Sequence, residues 1–165
     1  MQYTTLADNP FAVLTAIVAP AILTNASSLL TLGTSNRLAR VVDRTRVVAA
    51  ELAAFESGSP DYQAWAAQLD PLQVRAQLLL RALRLFYAAL GLFAASAFVS
   101  VAGSIASYYG QRFLFEAAAA LAVLTGASAV LGLAFGCVLM VHETQLAVQN
   151  MAEEAEVLRA HHRVA

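Results

Sequence analysis

The sequence predicts an all-α integral membrane protein, with three transmembrane helices extended into a cytoplasmic, coiled-coil-like helical bundle. Three observations predict it. First, the 165-residue chain is 59% hydrophobic and 13% charged, about half the ~25% charge of an ordinary soluble domain, and its mean hydropathy is +0.63. A globule of this size has too little interior to hide so much apolar surface. Second, three apolar segments, 10–33, 85–107 and 113–141, each supply the ~20 residues that a helix needs to cross a bilayer. Third, each segment is continued by apolar residues spaced alternately three and four apart, the mark of a helical seam.

The first span opens at Asn9-Pro10, a good N-cap followed by a residue whose missing N–H costs nothing at a helix start. Pro20 lies mid-span, where a bend is expected. Residues 1–9 contain no Lys or Arg, so the segment lacks the basic start of a signal peptide and is expected to persist in the mature protein. Residues 34–84 then read as a helical hairpin. Its descending arm carries the seam Leu38, Val41, Thr45, Val48, Leu52 and Phe55, and its ascending arm carries Trp65, Leu69, Leu72, Ala76, Leu79, Leu83 and Phe86. Between them, ESGSP (56–60) supplies a terminating Gly58 and an initiating Ser59-Pro60. Asp70-Pro71 predicts a second break or kink.

Spans two and three are joined by SYYGQ (107–111). Its tyrosines suit the headgroup level and its glycine suits a tight turn. After span three, Val141, Thr144, Val148, Met151, Ala155 and Leu158 predict a further amphipathic helix over 142–162. The whole of 1–165 is expected to form one domain. Arginine sets the direction: Arg37, Arg40, Arg44, Arg46, Arg75, Arg81 and Arg84 fall in the 34–84 connection, against Arg112 alone on the other side. The positive-inside rule therefore predicts an outer N-terminus and a cytoplasmic C-terminus. Lysine is absent, so all 10 basic residues are arginine, which fits a GC-rich bacterial coding sequence and hence a bacterial inner membrane.

Several clusters carry candidate functions. Thr24, Ser28, Thr31 and Ser35 fall within about 60° of one another at ~100° per residue, with Asn25 beside them. Two readings are open. The stripe can be an interhelical hydrogen-bonding face, or it can line a hydrated pore. Hydroxyls can satisfy themselves on the carbonyl four residues back, whereas Asn25 needs protein or water. Arg37, Arg40 and Arg44 share another face, as lipid-headgroup contacts or as a charged cytoplasmic mouth. Asp43, three residues from both Arg40 and Arg46, can neutralise part of that charge. Gly91, Gly103, Ser128, Gly132 and Gly136 are small enough to bring membrane helices close, and Ser96, Ser100 and Ser104 form a second small stripe. Glu116 can pair with Arg112. His142-Glu143 and His161-His162 lack the spacing of a metal site and read as tail residues at the edge of the bundle.

No nucleophile elbow, phosphate-binding glycine loop or paired-histidine zinc motif occurs, so neither an enzyme nor a cofactor is expected. The lone Cys137 reads as a small packing residue. A net charge of −1 gives no basis for nucleic-acid binding. Membrane lipid and further copies of the chain are the expected partners, or else another membrane protein.

The run NPFAVLTAIVAPAILTNASSLLTLGTSNRLARVVDRTRVVAAEL, residues 9–52, resembles the N-terminal motif of an uncharacterised bacterial family of three-span membrane proteins, a domain of unknown function. Asn9, Pro10, Pro20, Asn25, Ser28, Asn36, Arg37, Arg40, Asp43 and Arg44 match that motif. The resemblance implies a bacterial inner-membrane protein and brings no activity, cofactor or catalytic residue. Three spans leave little room for a path enclosed within one subunit. The expected function is therefore a homo-oligomeric channel or pore whose polar path is shared between first spans, with a non-catalytic scaffold or accessory subunit as the alternative.

Overall fold

The computed structural model describes the backbone of residues 10–56 and 59–164, and the side chains of Val18, 21–56, Ser59, 62–63 and 65–149. The described chain is all helical: α1 (Pro10–Leu52), the short α2 (Pro60–Ala66), α3 (Leu69–Tyr108) and α4 (Arg112–Val164). Helix α1 runs through Pro20 without interruption. The predicted caps at Asn9 and Gly58 lie outside the described residues, as do the side chains of Met151, Ala155, Leu158, His161 and His162.

The helix ends follow local chemistry. Ser59 caps α2: its side-chain oxygen accepts from the backbone N–H of Tyr62 at 3.1 Å, and Pro60 opens the helix. The break predicted at Asp70-Pro71 falls slightly earlier, between Ala66 and Leu69. Asp70 then sits in the first turn of α3, where its charge favours the helix N-terminus. At the other end of α3, Gly110 adopts φ +73°. The N–H groups of Gly110 and Gln111 donate to the carbonyls of Ser107 and Ala106, both at 3.0 Å. This αL glycine stop closes α3 and lets α4 begin at Arg112.

The chain divides into two compact units. The first comprises 1–31 and 85–134, the second 32–84 and 135–165. In the first, α3 and α4 run antiparallel over small residues. Ser96 is buried and donates to the Ala122 carbonyl at 2.8 Å. A Cβ added at Gly103 would stand 2.9 Å from that of Ala118, and one at Gly132 would meet Ala89 at 3.9 Å. Ala89, Phe93 and Ala129 form the core, with Leu23 of α1 packed on it. Large apolar side chains face outward, among them Ile22, Phe98, Phe113, Val123, Leu124 and Leu131.

The second unit has a more conventional core of Val41, Val48, Leu72 and Leu79, covered by Leu38, Leu52, Trp65, Leu69, Ala76 and Met140. Both seams read from the 34–84 hairpin therefore face inward. The seam read after span three is displaced. Val141 and Val148 are 59% and 61% exposed, and Met140, Glu143 and Ala147 turn inward instead. The core-facing position is held by a carboxylate, which an apolar repeat passes over.

Among the described residues, two helices, Leu69–Tyr108 and Arg112–Gln149, contain stretches long and apolar enough to cross a membrane, and only 22% and 11% of those stretches are buried. The core helix of a soluble protein would be mostly buried, and a signal sequence would lie near the N-terminus. The two helices are thus compatible with a membrane protein, and they contain the predicted spans 85–107 and 113–141. The predicted span 10–33 begins in residues whose side chains lie outside the described ones.

Candidate functional site

Along α1 the inward positions are set by the same three-four seam. Followed backward from Leu38, it passes through Thr34, Thr31 and Ser27, which are 2%, 7% and 0% exposed. The polar stripe read from the sequence straddles the edge of this face. Thr31 is inside, Thr24 and Ser35 are half-buried at the margin, and Asn25 and Ser28 are exposed. Ser27 and Thr34 were missed, although the backward run of the seam would have found them. Three of these hydroxyls are satisfied within the helix: Ser27 donates to the Leu23 carbonyl at 2.9 Å, Ser28 to Thr24 at 3.0 Å and Thr31 to Ser27 at 2.8 Å. Thr34 instead reaches α4, donating to Met140 Sδ at 3.5 Å.

The small residues divide in the same way. Gly103 and Gly136 are buried and Gly132 is half-buried, whereas Gly91 and Ser128 face outward. No atom lies within 4 Å of a Cβ placed at Gly91, and Ser128 donates to its own helix at Leu124.

The densest polar chemistry lies in the second unit, around Glu143. This carboxylate is 2% exposed, and each of its oxygens has an arginine partner. Arg75 Nε donates to Oε1 at 2.9 Å, and Arg37 Nη1 lies 3.6 Å from Oε2. Arg37 also donates to Thr144 Oγ1 at 3.0 Å, and Thr144 donates to the Met140 carbonyl at 2.9 Å. One carboxylate thereby ties α1, α3 and α4 together. A charge is tolerated at this depth because it is both paired and hydrogen-bonded.

Beside this triad lies a groove of about 370 Å³, lined by Arg37, Arg40, Arg44 and Arg75 over Val41, Leu72 and Ala147, with Glu143 and Thr144 in its wall. Of the arginines read from the sequence, Arg37 is bound to Glu143. Arg40 and Arg44 line the same groove and make no hydrogen bond or ion pair with another described residue. Asp43 pairs with Arg46 at 3.8 Å and leaves Arg40 unneutralised. The sequence does not single out Arg75, and it makes Glu143 read as a tail residue. The i, i+3, i+7 arginine spacing was the visible half of the site. Away from the groove, Arg112 donates to Glu116 at 2.8 Å on an exposed turn, the pair expected from its spacing. Among the described residues no group of three His, Cys, Asp or Glu could hold a metal ion.

No curated protein and no solved structure matches the chain. A sequence family described as "Protein of unknown function (DUF2721)" matches residues 17–153, a range that takes in α2 and α3, most of α1 and α4, and every residue of the arginine groove; the chain belongs to this family.

Proposed function

We propose that the chain is a non-catalytic protein of the bacterial inner membrane that works as a homo-oligomer, its first helices meeting along the face that carries Asn25 and Ser28 and enclosing a shared polar path between subunits. In this reading 10–33 is a third span, the N-terminus lies outside, and the 34–84 hairpin and the helix beyond 141 form a cytoplasmic bundle. The run 9–52 is then the family's defining motif.

One observation carries the proposal. Asn25 is exposed on α1, inside the apolar run 10–33. An unpartnered amide in hydrocarbon is costly, so a helix that keeps one turns it toward protein or water. The purified protein in liposomes should pass ions. Asn25→Leu combined with Ser28→Leu should reduce that flux, and absent or unchanged flux removes the pore.

The hydroxyl geometry favours a second reading, a membrane scaffold or accessory subunit. Ser28 and Thr31 bond back to their own helix and need no water. Extraction in mild detergent separates the two readings: a stoichiometric second protein on the isolated complex supports the scaffold, and a clean homomer counts against it.

A further inference from the structure

We propose that the groove lined by Arg37, Arg40, Arg44 and Arg75 binds a phosphate-bearing anion, and that Glu143 is the internal carboxylate that holds two of these arginines in position. The proposal is independent of the pore reading, because a single chain carries the whole groove.

Charge is the first argument. Four guanidinium groups line the groove against one carboxylate, and both oxygens of that carboxylate already have partners. Arg40 and Arg44 stand one turn apart on α1 with no hydrogen bond or ion pair among the described residues. Like charges at this spacing destabilise a helix, and Arg37 extends the same row. An anion in the groove would relieve that repulsion. Asp43 does not do so, since it pairs with Arg46 on another face.

Donor geometry selects the ligand class. Guanidinium is a planar fork whose parallel N–H groups match the oxygens of a phosphate, and several arginines around one concavity can share a tetrahedral oxyanion in a way that a single carboxylate ligand cannot satisfy. The groove floor is apolar, formed by the buried Val41 and Leu72, which strengthens each charge-assisted contact. Volume sets the size: about 370 Å³ lies near the lower end of the ~300–1,000 Å³ typical of small-ligand sites. That leaves room for a phosphate with a small ester substituent. A phospholipid headgroup and a free phosphate ester present the same chemistry here.

The test uses the full chain in detergent and in nanodiscs. Inorganic phosphate and glycerol 3-phosphate are titrated calorimetrically at constant ionic strength. In parallel, retention of phosphatidic acid against phosphatidylcholine is read by native mass spectrometry. Arg40→Gln with Arg44→Gln should weaken binding by at least about tenfold, as expected for loss of two charge-assisted contacts. Arg46→Gln, off the groove, should leave it unchanged. The Arg40→Lys, Arg44→Lys pair keeps the charge and loses the fork, and should fall between; it also serves if the glutamine pair does not fold. Saturable binding of the soluble esters that depends on these arginines supports the site with a free ligand. Selective retention of phosphatidic acid with the same dependence supports it with a lipid. Binding of neither, or binding indifferent to Arg40 and Arg44, or equally lost in Arg46→Gln, overturns the proposal.

Discussion

Glu143 is accommodated in the interior by Arg75 and Arg37, which approach its two oxygens separately, and the two contacts are unequal. The Arg75 contact is a hydrogen-bonded pair at 2.9 Å with the arginine side chain 23% exposed, whereas Arg37 stands at 3.6 Å and is 45% exposed. Breaking a fully buried pair from one side costs roughly 3–5 kcal/mol, and a largely exposed pair contributes about 1 kcal/mol or less. Arg75→Ala should therefore destabilise the protein by about 2–3 kcal/mol, through the carboxylate left under-partnered, and Arg37→Ala by about 1 kcal/mol. Chemical unfolding in detergent, followed by helical circular dichroism, measures both. Equal losses would mean that Glu143 does not depend on the closer arginine. This residue also shows where sequence reading stopped. The inward register of α4 is fixed by a carboxylate whose nearer partner, Arg75, is 68 residues away. An apolar repeat records no signal for such a pair, so it moved to the neighbouring valines, Val141 and Val148, which face out.

At the scale of the helix, two kinds of pattern are legible in the sequence. The chemistry of helix ends was local and therefore readable: Ser59-Pro60 starts α2, and Gly110 turns α3 into α4. The hairpin seams were readable because Val41, Val48, Leu72 and Leu79 are apolar and inward at every step. The polar half of α1 was harder, since Ser27, Ser28, Thr31, Thr34 and Ser35 offer hydroxyls on overlapping stripes and only the neighbouring helices decide which are covered. Small residues show the same dependence on partners, which yields a contrast between two glycines of α3. At Gly103 a Cβ would sit 2.9 Å from that of Ala118, with no flexible side chain to give way. The backbones must separate, and Gly103→Ala should cost about 1–3 kcal/mol. At Gly91 the space is open, so Gly91→Ala should be neutral or stabilising by up to ~1 kcal/mol through helix propensity. Thermal unfolding of the two variants side by side checks the sign. A fuller truncation in the second unit, Leu79→Ala, removes a completely buried side chain and should cost about 2–5 kcal/mol.

For the molecule as a whole, charge partition carries the topological argument. Apart from Asp8, Arg112 and Glu116, every charged residue belongs to the second unit. Arg112 and Glu116 neutralise each other across one exposed turn. The stretches of α3 and α4 that can cross a membrane are therefore nearly free of net charge, while residues 34–84, the end of α1 through the start of α3, hold Arg37, Arg40, Arg44, Arg46, Arg75, Arg81 and Arg84. Each arginine near an anionic cytoplasmic leaflet is favoured by about 1 kcal/mol, and arginines close to the membrane edge bias topology more than acidic residues do, so the proposed orientation places this segment in the cytoplasm. Two positions read the result directly. Gln111 is exposed in the turn between α3 and α4, and Ala54 is exposed just beyond α1; one passage of α3 separates them along the chain. In a Cys137→Ala background, a membrane-impermeant maleimide should label Gln111→Cys on intact cells and Ala54→Cys only after the membrane is opened. The reverse pattern would invert the topology. Labelling of both from one side would mean that α3 does not cross the bilayer, and the proposed path along the first helix would lose its basis with it.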